Sequence, residues 1–187
     1  MRHLLCVLLI CASPSVADSQ SQPQSQSRRV ATDRMLDALK SAQSEAEAAP
    51  MEMRLEQFWL EQGSPAVTLL VGRGVRDLAA GANQEAVNDF DGAIALDPDV
   101  AELYYRRGLA KLALGDTRGA VRDIEETLRR EPRHFAAWRT LSRIAESRQD
   151  WKSAYAAWQK LLDVDPKTPG GADKLKDLKR RALGEVT

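Results

Sequence analysis

Apolar positions along this chain recur at helical rather than strand spacing. Met35, Leu36 and Leu39 share a helical face within residues 31–49, a stretch that Pro50 is expected to close. Met51, Met53, Leu55, Phe58, Trp59 and Leu60 mark a second helix, ended by Gly63 and Pro65, so the two form an αα-hairpin. Beyond Val67 a longer period takes over. Pro98, Pro132 and Pro166 lie 34 residues apart, and Ala86, Ala120 and Ala154 keep the same interval. So do Gly74, Gly108 and Ser142, then Leu70, Tyr104 and Trp138, then Phe90, Ile124 and Trp158. A period of this length predicts a solenoid of helix pairs.

Each repeated residue type has a packing reason. The small residues at 74, 108 and 142 fall in the first helix of each unit, and those at 86, 120 and 154 in the second. Where two helices cross closely, a larger side chain would push the backbones apart. The aromatic and aliphatic positions fill the space on either side. Each proline stops the second helix, because it cannot donate to the helical ladder. Asp97, Asp99 and Asp165 beside the prolines suit the turn into the next helix.

The pattern of a large residue, a small one four later, then Ala, an aromatic and Pro resembles the tetratricopeptide repeat. The resemblance implies an all-α fold, a right-handed α-solenoid of helix-turn-helix repeats. Its three units span residues 67–100, 101–134 and 135–168. The helical pair at 30–66 is expected as a degenerate capping repeat. Residues 169–187 are expected as a polar solvating helix and tail, since a terminal unit needs a wet outer face. Where the family usually has Leu in the first helix, two repeats have Arg73 and Arg107. Both also carry an Asp sixteen residues later, Asp89 and Asp123. The third repeat changes both together, to Leu141 and Ala157. Paired replacement predicts contact, as two ion pairs between the helices of a unit.

The resemblance further implies that the first helices line a concave groove. The groove positions are Thr68, Val71, Val75 and Leu78, then Glu102, Tyr105, Arg106 and Leu109, then Ala136, Arg139, Thr140 and Arg143. Such a groove begins aliphatic and becomes basic, which suits a peptide with an apolar segment followed by carboxylates. One specialisation of the family is a carboxylate clamp of Lys, Asn and Arg. Its positions hold Val71, Val75, Arg106, Ala136 and Thr140, and only Arg106 keeps a charge, so that ligand is not expected.

The N-terminus changes the picture of where this happens. Arg2 and His3 precede an apolar run over residues 4–12, then Pro14, then Ser15, Val16 and Ala17. That order predicts a signal peptide over residues 1–17, cleaved after Ala17. The run is too short for a bilayer-spanning helix, which takes about 20 residues. Cys6 and Cys11 both lie inside it, so the mature chain would hold no thiol. Ile10 is too bulky before Cys11 for a lipobox. The Ser/Gln stretch within residues 18–29 has nothing apolar to bury and is expected as a flexible linker. The expected location is export to a bacterial periplasm.

Charge and chemistry then exclude several classes. Lys plus Arg and Asp plus Glu are both 27, so nothing electrostatic points to nucleic acid. The mature chain has one histidine, His134, expected as a surface or capping residue. Gly72 and Gly74 lie inside a helix and lack the rest of a phosphate loop. No catalytic constellation and no cofactor site is expected. The expected function is a non-enzymatic scaffold that binds a protein or peptide in the groove, without stable membrane insertion once the signal is removed. A homo-oligomer formed through the ends of the array is the alternative. A cell-wall or carbohydrate binder would need exposed aromatic platforms, whereas Trp138 and Trp158 fall at core positions.

Overall fold

The computed structural model describes residues 18–184, with side chains from residue 26 onward. Residues 1–17, the expected signal peptide, lie outside the described residues. The described residues form nine helices: α1 (Asp18–Ser41), α2 (Glu45–Leu60), α3 (Pro65–Ala79), α4 (Asn83–Leu96), α5 (Ala101–Ala113), α6 (Thr117–Arg130), α7 (Phe135–Ser147), α8 (Trp151–Val164) and α9 (Gly171–Leu183). Helices α3 to α8 pair as α3–α4, α5–α6 and α7–α8, one antiparallel pair per repeat. None of the described helices is long and apolar enough to cross a membrane.

Local signals set the helix ends. Ser64 accepts a hydrogen bond from the Val67 amide, and Pro65 takes the first helical position, where its missing N–H costs nothing. Asp116 and Asp150 cap α6 and α8 through the amides of Gly119 and Ser153. The turn inside each repeat needs a left-handed residue at one fixed place. Gly81 and Gly115 supply it at φ 79° and 81°, and Gln149 takes the same place at φ 58°.

The small residues sit at the helix crossings. A Cβ on Gly74 would lie 2.9 Å from Phe90 Cζ, and one on Gly108 would lie 3.3 Å from the Ala120 carbonyl oxygen. Ser142 makes use of its hydroxyl instead, donating to the Ala154 carbonyl at 3.0 Å. Beside these crossings the two expected ion pairs are present. Arg107 Nε and Nη2 reach the two Asp123 oxygens at 2.9 and 2.7 Å. Arg73 forms the same fork on Asp89. This guanidinium holds the buried Asp89 carboxyl below the usual carboxylate range.

The C-terminal end is closed by α9. Leu178 is buried, and Trp158 Nε1 donates to the Gly171 carbonyl at 2.9 Å. Lys174 and Arg181 lie over the rings of Trp158 and Trp151 at 4.6 and 4.7 Å. Polar residues thereby cover the aromatic end of the last repeat while facing solvent themselves.

The N-terminal region departs from expectation in three ways. Residues 18–29 are helical turns of α1, not a linker. Gln is a good helix former, and a helix anchored further along extends at little cost, because every added residue but Pro23 can bring a hydrogen bond. Pro50 does not end a helix but lies inside α2. The break falls earlier, where Ser44 Oγ accepts from the Glu47 amide and Glu47 Oε2 accepts from the Gln43 amide. These reciprocal bonds start a helix much as a capping box does.

The third departure concerns where the pair docks. Helices α1 and α2 do not stack in front of α3 as a capping repeat. They fold back over the second and third repeats. Leu36, Leu39, Leu55 and Trp59 share a buried core with Tyr105, Phe135, Ala136 and Trp158. The repeat register explains this. Glu52, Glu56 and Trp59 stand 34 residues before Ala86, Phe90 and Ala93. Two carboxylates where the unit needs a methyl and a phenyl ring prevent α2 from packing as a second repeat helix.

Candidate functional site: the inner face of the repeats

The inner face is built by α5 and α7, and α2 lies across it. Its centre is His134, the N-cap of α7, which is 1% exposed. His134 Nδ1 accepts from the Ala137 amide at 3.1 Å, so Nε2 carries the proton and donates to Glu102 Oε2 at 2.9 Å. Glu102, also buried, accepts from Arg106 Nε at 2.5 Å through its other oxygen. This chain fixes the imidazole plane. Trp59 of α2 stacks on that plane, with Tyr105 at 4.7 Å centroid distance on α5. Of the two expected places for this histidine, surface or cap, the structure shows the cap, and a buried one.

Charge fixes the rest of α2 on this face. Glu52 accepts from Arg139 Nη2 at 2.9 Å. Glu56 is half-buried between the charges of Arg106 and Arg139, and burial raises its pKa against their pull. Glu45 accepts from the Gly170 amide at 3.2 Å, where α9 begins. Outside the groove, Arg133 pairs with Asp33 and Asp37, which holds α1 to the turn between the second and third repeats.

A carboxyl pair lies at the far side. Asp165 is fully buried at the end of α8, and neither of its oxygens finds a donor in its ionised form, nor does Glu52 Oε1. Burial, and then the neighbouring Glu52, push the Asp165 pKa up to about 7, against Thr168 and Arg139. A proton held on Asp165 and shared with Glu52 would satisfy one oxygen of each carboxyl, and Arg139 Nη2 lies 3.8 Å from Asp165 Oδ2.

The expected groove residues are distributed unevenly. Tyr105 and Thr140 are buried under α2, with 3.4 Å between their hydroxyl oxygens. Ala136 is buried, Arg139 is engaged by Glu52, and Arg106 is held by Glu102. Val71 is also buried, in a second core with Val67, Leu103 and Leu60. Thr68 and Arg143 are exposed, while Val75, Leu78 and Leu109 are half-buried. What stays open beside α2 is a cleft of about 430 Å³ lined by Glu52, Met53, Arg139, Trp158 and Thr168. Several of the expected α5 and α7 positions lie beneath α2, and Glu52, Glu56 and Trp59, which lie against them, are not among the expected groove residues. Their signal was the failure of the 34-residue register at Glu52 and Glu56.

Comparison with known proteins places this architecture. A family model described as TPR repeat matches residues 75–115. The chain is 32% identical over 136 residues to a TPR repeat-containing protein of Rhizobium etli, covering 73% of this chain and 66% of that one. The chain belongs to the tetratricopeptide repeat family. This tetratricopeptide repeat protein is also 32% identical over 110 residues to the Hsp70-Hsp90 organizing protein of Triticum aestivum, covering 59% of this chain but 19% of that one. Among solved structures, it is similar to the first TPR of Spaghetti (RPAP3) bound to an HSP90 peptide. The TM-score is 0.59 at 18% identity, covering 66% of this chain and 97% of that one. Repeats of this family form non-enzymatic scaffolds for protein binding.

Proposed function

We propose that this tetratricopeptide repeat protein is an exported adaptor whose inner face takes an acidic, helical segment of a partner polypeptide in the periplasm. The observation that carries the reading is α2 itself. It is a helix laid across α5 and α7, with Glu52 on Arg139 and Trp59 on His134. A face that holds one such helix is built for that class of ligand. The apolar stretch over residues 4–12, with Ser15 and Ala17 before the cleavage point, supports export. A role in envelope assembly follows from that location as the setting for such an adaptor. The relatives point the same way, since one is an Hsp70-Hsp90 organizing protein by name and one solved neighbour holds a peptide. The empty clamp positions argue against the same peptide here, because Ala136 and Thr140 offer no charge and lie buried.

The runner-up is a self-associating structural subunit. The short link from Glu61 to Ser64 favours it, because a hairpin on such a hinge can dock on a second copy in place of its own repeats.

One experiment separates these. Photo-crosslinkable residues at Arg143 and Leu109 are placed in the exported protein, with and without a bis-maleimide bridge between Glu52→Cys and Arg139→Cys that spans the gap left by the two long side chains and locks α2. The adaptor reading expects one dominant foreign protein captured in the unlocked form and lost in the locked form. Capture of the protein's own copies moves the assignment to self-assembly. Equal capture in both forms removes the inner face from the account. Export is checked by the mass of the mature protein, expected to begin at Asp18; a chain retaining residues 1–17 overturns that part.

A further inference from the structure

The register that builds the array also shows where it is left incomplete. Leu69, Leu103 and Ala137 occupy the same place in the three repeats. Leu103 is 1% exposed and Ala137 0%, because each packs on the helix of the unit before it, whereas Leu69 is 71% exposed. The rest of that α3 face, Ala66, Arg73, Arg76 and Ala80, is exposed too.

The arginines show what is missing. Arg107 uses Nε and Nη2 on Asp123 of its own unit, and its Nη1 reaches Asp91 of α4, in the preceding unit, at 2.6 Å. Arg73 uses the same two atoms on Asp89, and its Nη1 has no hydrogen-bond partner among the described residues. The helix that precedes α3 in sequence is α2, which lies on the inner face. It also carries Gln57 where the register would place the counterpart of Asp91.

We propose that this face of α3 docks one helix of a partner polypeptide, which sets an apolar residue against Leu69 and a carboxylate on Arg73 Nη1, as α4 does on α5. The charge of the face fits that partner. Arg73 and Arg76 are outermost, and Asp89 is buried behind them. A second copy of this chain fits poorly, because its α3 presents the same arginines and its Asp91 is already engaged by Arg107. The site is separate from the inner face and does not depend on what binds there.

The test uses the mature full-length protein and a side-chain-crosslinked helical peptide with the sequence of α4, Asn83–Leu96, followed by NMR titration. Amide shifts are expected at Leu69, Arg73, Arg76 and Ala80. They should vanish with Leu69→Asp, which alters an exposed side chain and leaves the fold intact. A peptide carrying Asp91→Asn should bind about tenfold more weakly, the size of one charge-assisted hydrogen bond. Three results overturn the proposal. The first is no shift on α3 up to millimolar peptide, or shifts centred on α5. The second is binding indifferent to both substitutions. The third is sedimentation showing a dimer of the protein that Leu69→Asp dissolves, which assigns the face to a second copy.

Discussion

Trp59 of α2 lies over the imidazole of His134 at the start of α7, with ring centroids 4.2 Å apart and planes 14° from parallel. The tryptophan is 4% exposed, although it belongs to a helix connected to the array by only a short link. The stack joins a segment with no place in the repeat register to the most buried polar network of the molecule. Trp59→Ala should cost about 3–5 kcal/mol in urea unfolding, the usual penalty for emptying a large aromatic site. Hydrogen exchange should show the α2 amides released ahead of those in α3–α8. Uniform acceleration across all helices would mean that the hairpin is part of one cooperative unit with the repeats.

The two interhelical ion pairs should differ in strength. The Arg107 side chain is 18% exposed and serves two aspartates, whereas Arg73 is 58% exposed and serves one. Arg107→Ala is expected to cost about 2 kcal/mol, since Lys111 stays 2.8 Å from Asp123 and relieves part of the charge left behind. Arg73→Ala should cost clearly less than that, given its exposure. Thermal unfolding of both variants side by side gives the ordering, and equal losses would contradict it.

These pairs mark the part of the fold that was legible in the sequence. Arg and Asp change together in the third repeat, to Leu141 and Ala157, and that covariation within one chain anticipated the contact. The prolines, small residues and aromatics in phase likewise placed α3 to α8. What stayed hidden lay before Val67, where no repeat constrains the reading. Pro50 reads as a stop, whereas α2 runs through it and leaves the Ala46 carbonyl without its helical donor, while Ser44 and Glu47 carry the actual start signal. Register assigns the inner-face positions, but it says nothing of a helix outside it. The covering of Tyr105 and Thr140 by α2 therefore had to come from the structure.

Gly74→Ala tests how tightly the first crossing is closed. The added Cβ would lie 2.9 and 3.0 Å from the Phe90 ring and 3.3 Å from Asp89 Cβ. Overpacking costs about 1–3 kcal/mol, and Ala regains about 1 kcal/mol of helix propensity. A net loss of about 1 kcal/mol is expected from denaturant unfolding. Gly108→Ala, whose nearest contacts are at 3.3 Å, should lie closer to neutral.

The Asp165 carboxyl gives the molecule a pH signature. Its folded pKa, about 7, is raised above the ordinary carboxylate value, so the native state binds the proton more tightly than the unfolded chain. Its stabilising contribution is complete below the unfolded pKa and is lost as pH rises through 7. Between about pH 4 and 7 this group should add up to about 1.4 kcal/mol of stability per unit of acidification. Asp165→Asn should flatten that slope in melts recorded across the range. An unchanged slope would assign it to other carboxylates.

The two ends of the molecule are finished differently, and this limits what it can assemble into. At α9, Lys174 and Arg181 cover the last tryptophans, whereas α3 leaves its first face bare. An object with one receptive end and one sealed end has no complementary surface through which to grow head to tail. It can terminate a stack, or accept one neighbour there, but it cannot propagate a fibre. Stoichiometry at that end is thereby held to one, whatever the concentration of protein in its compartment.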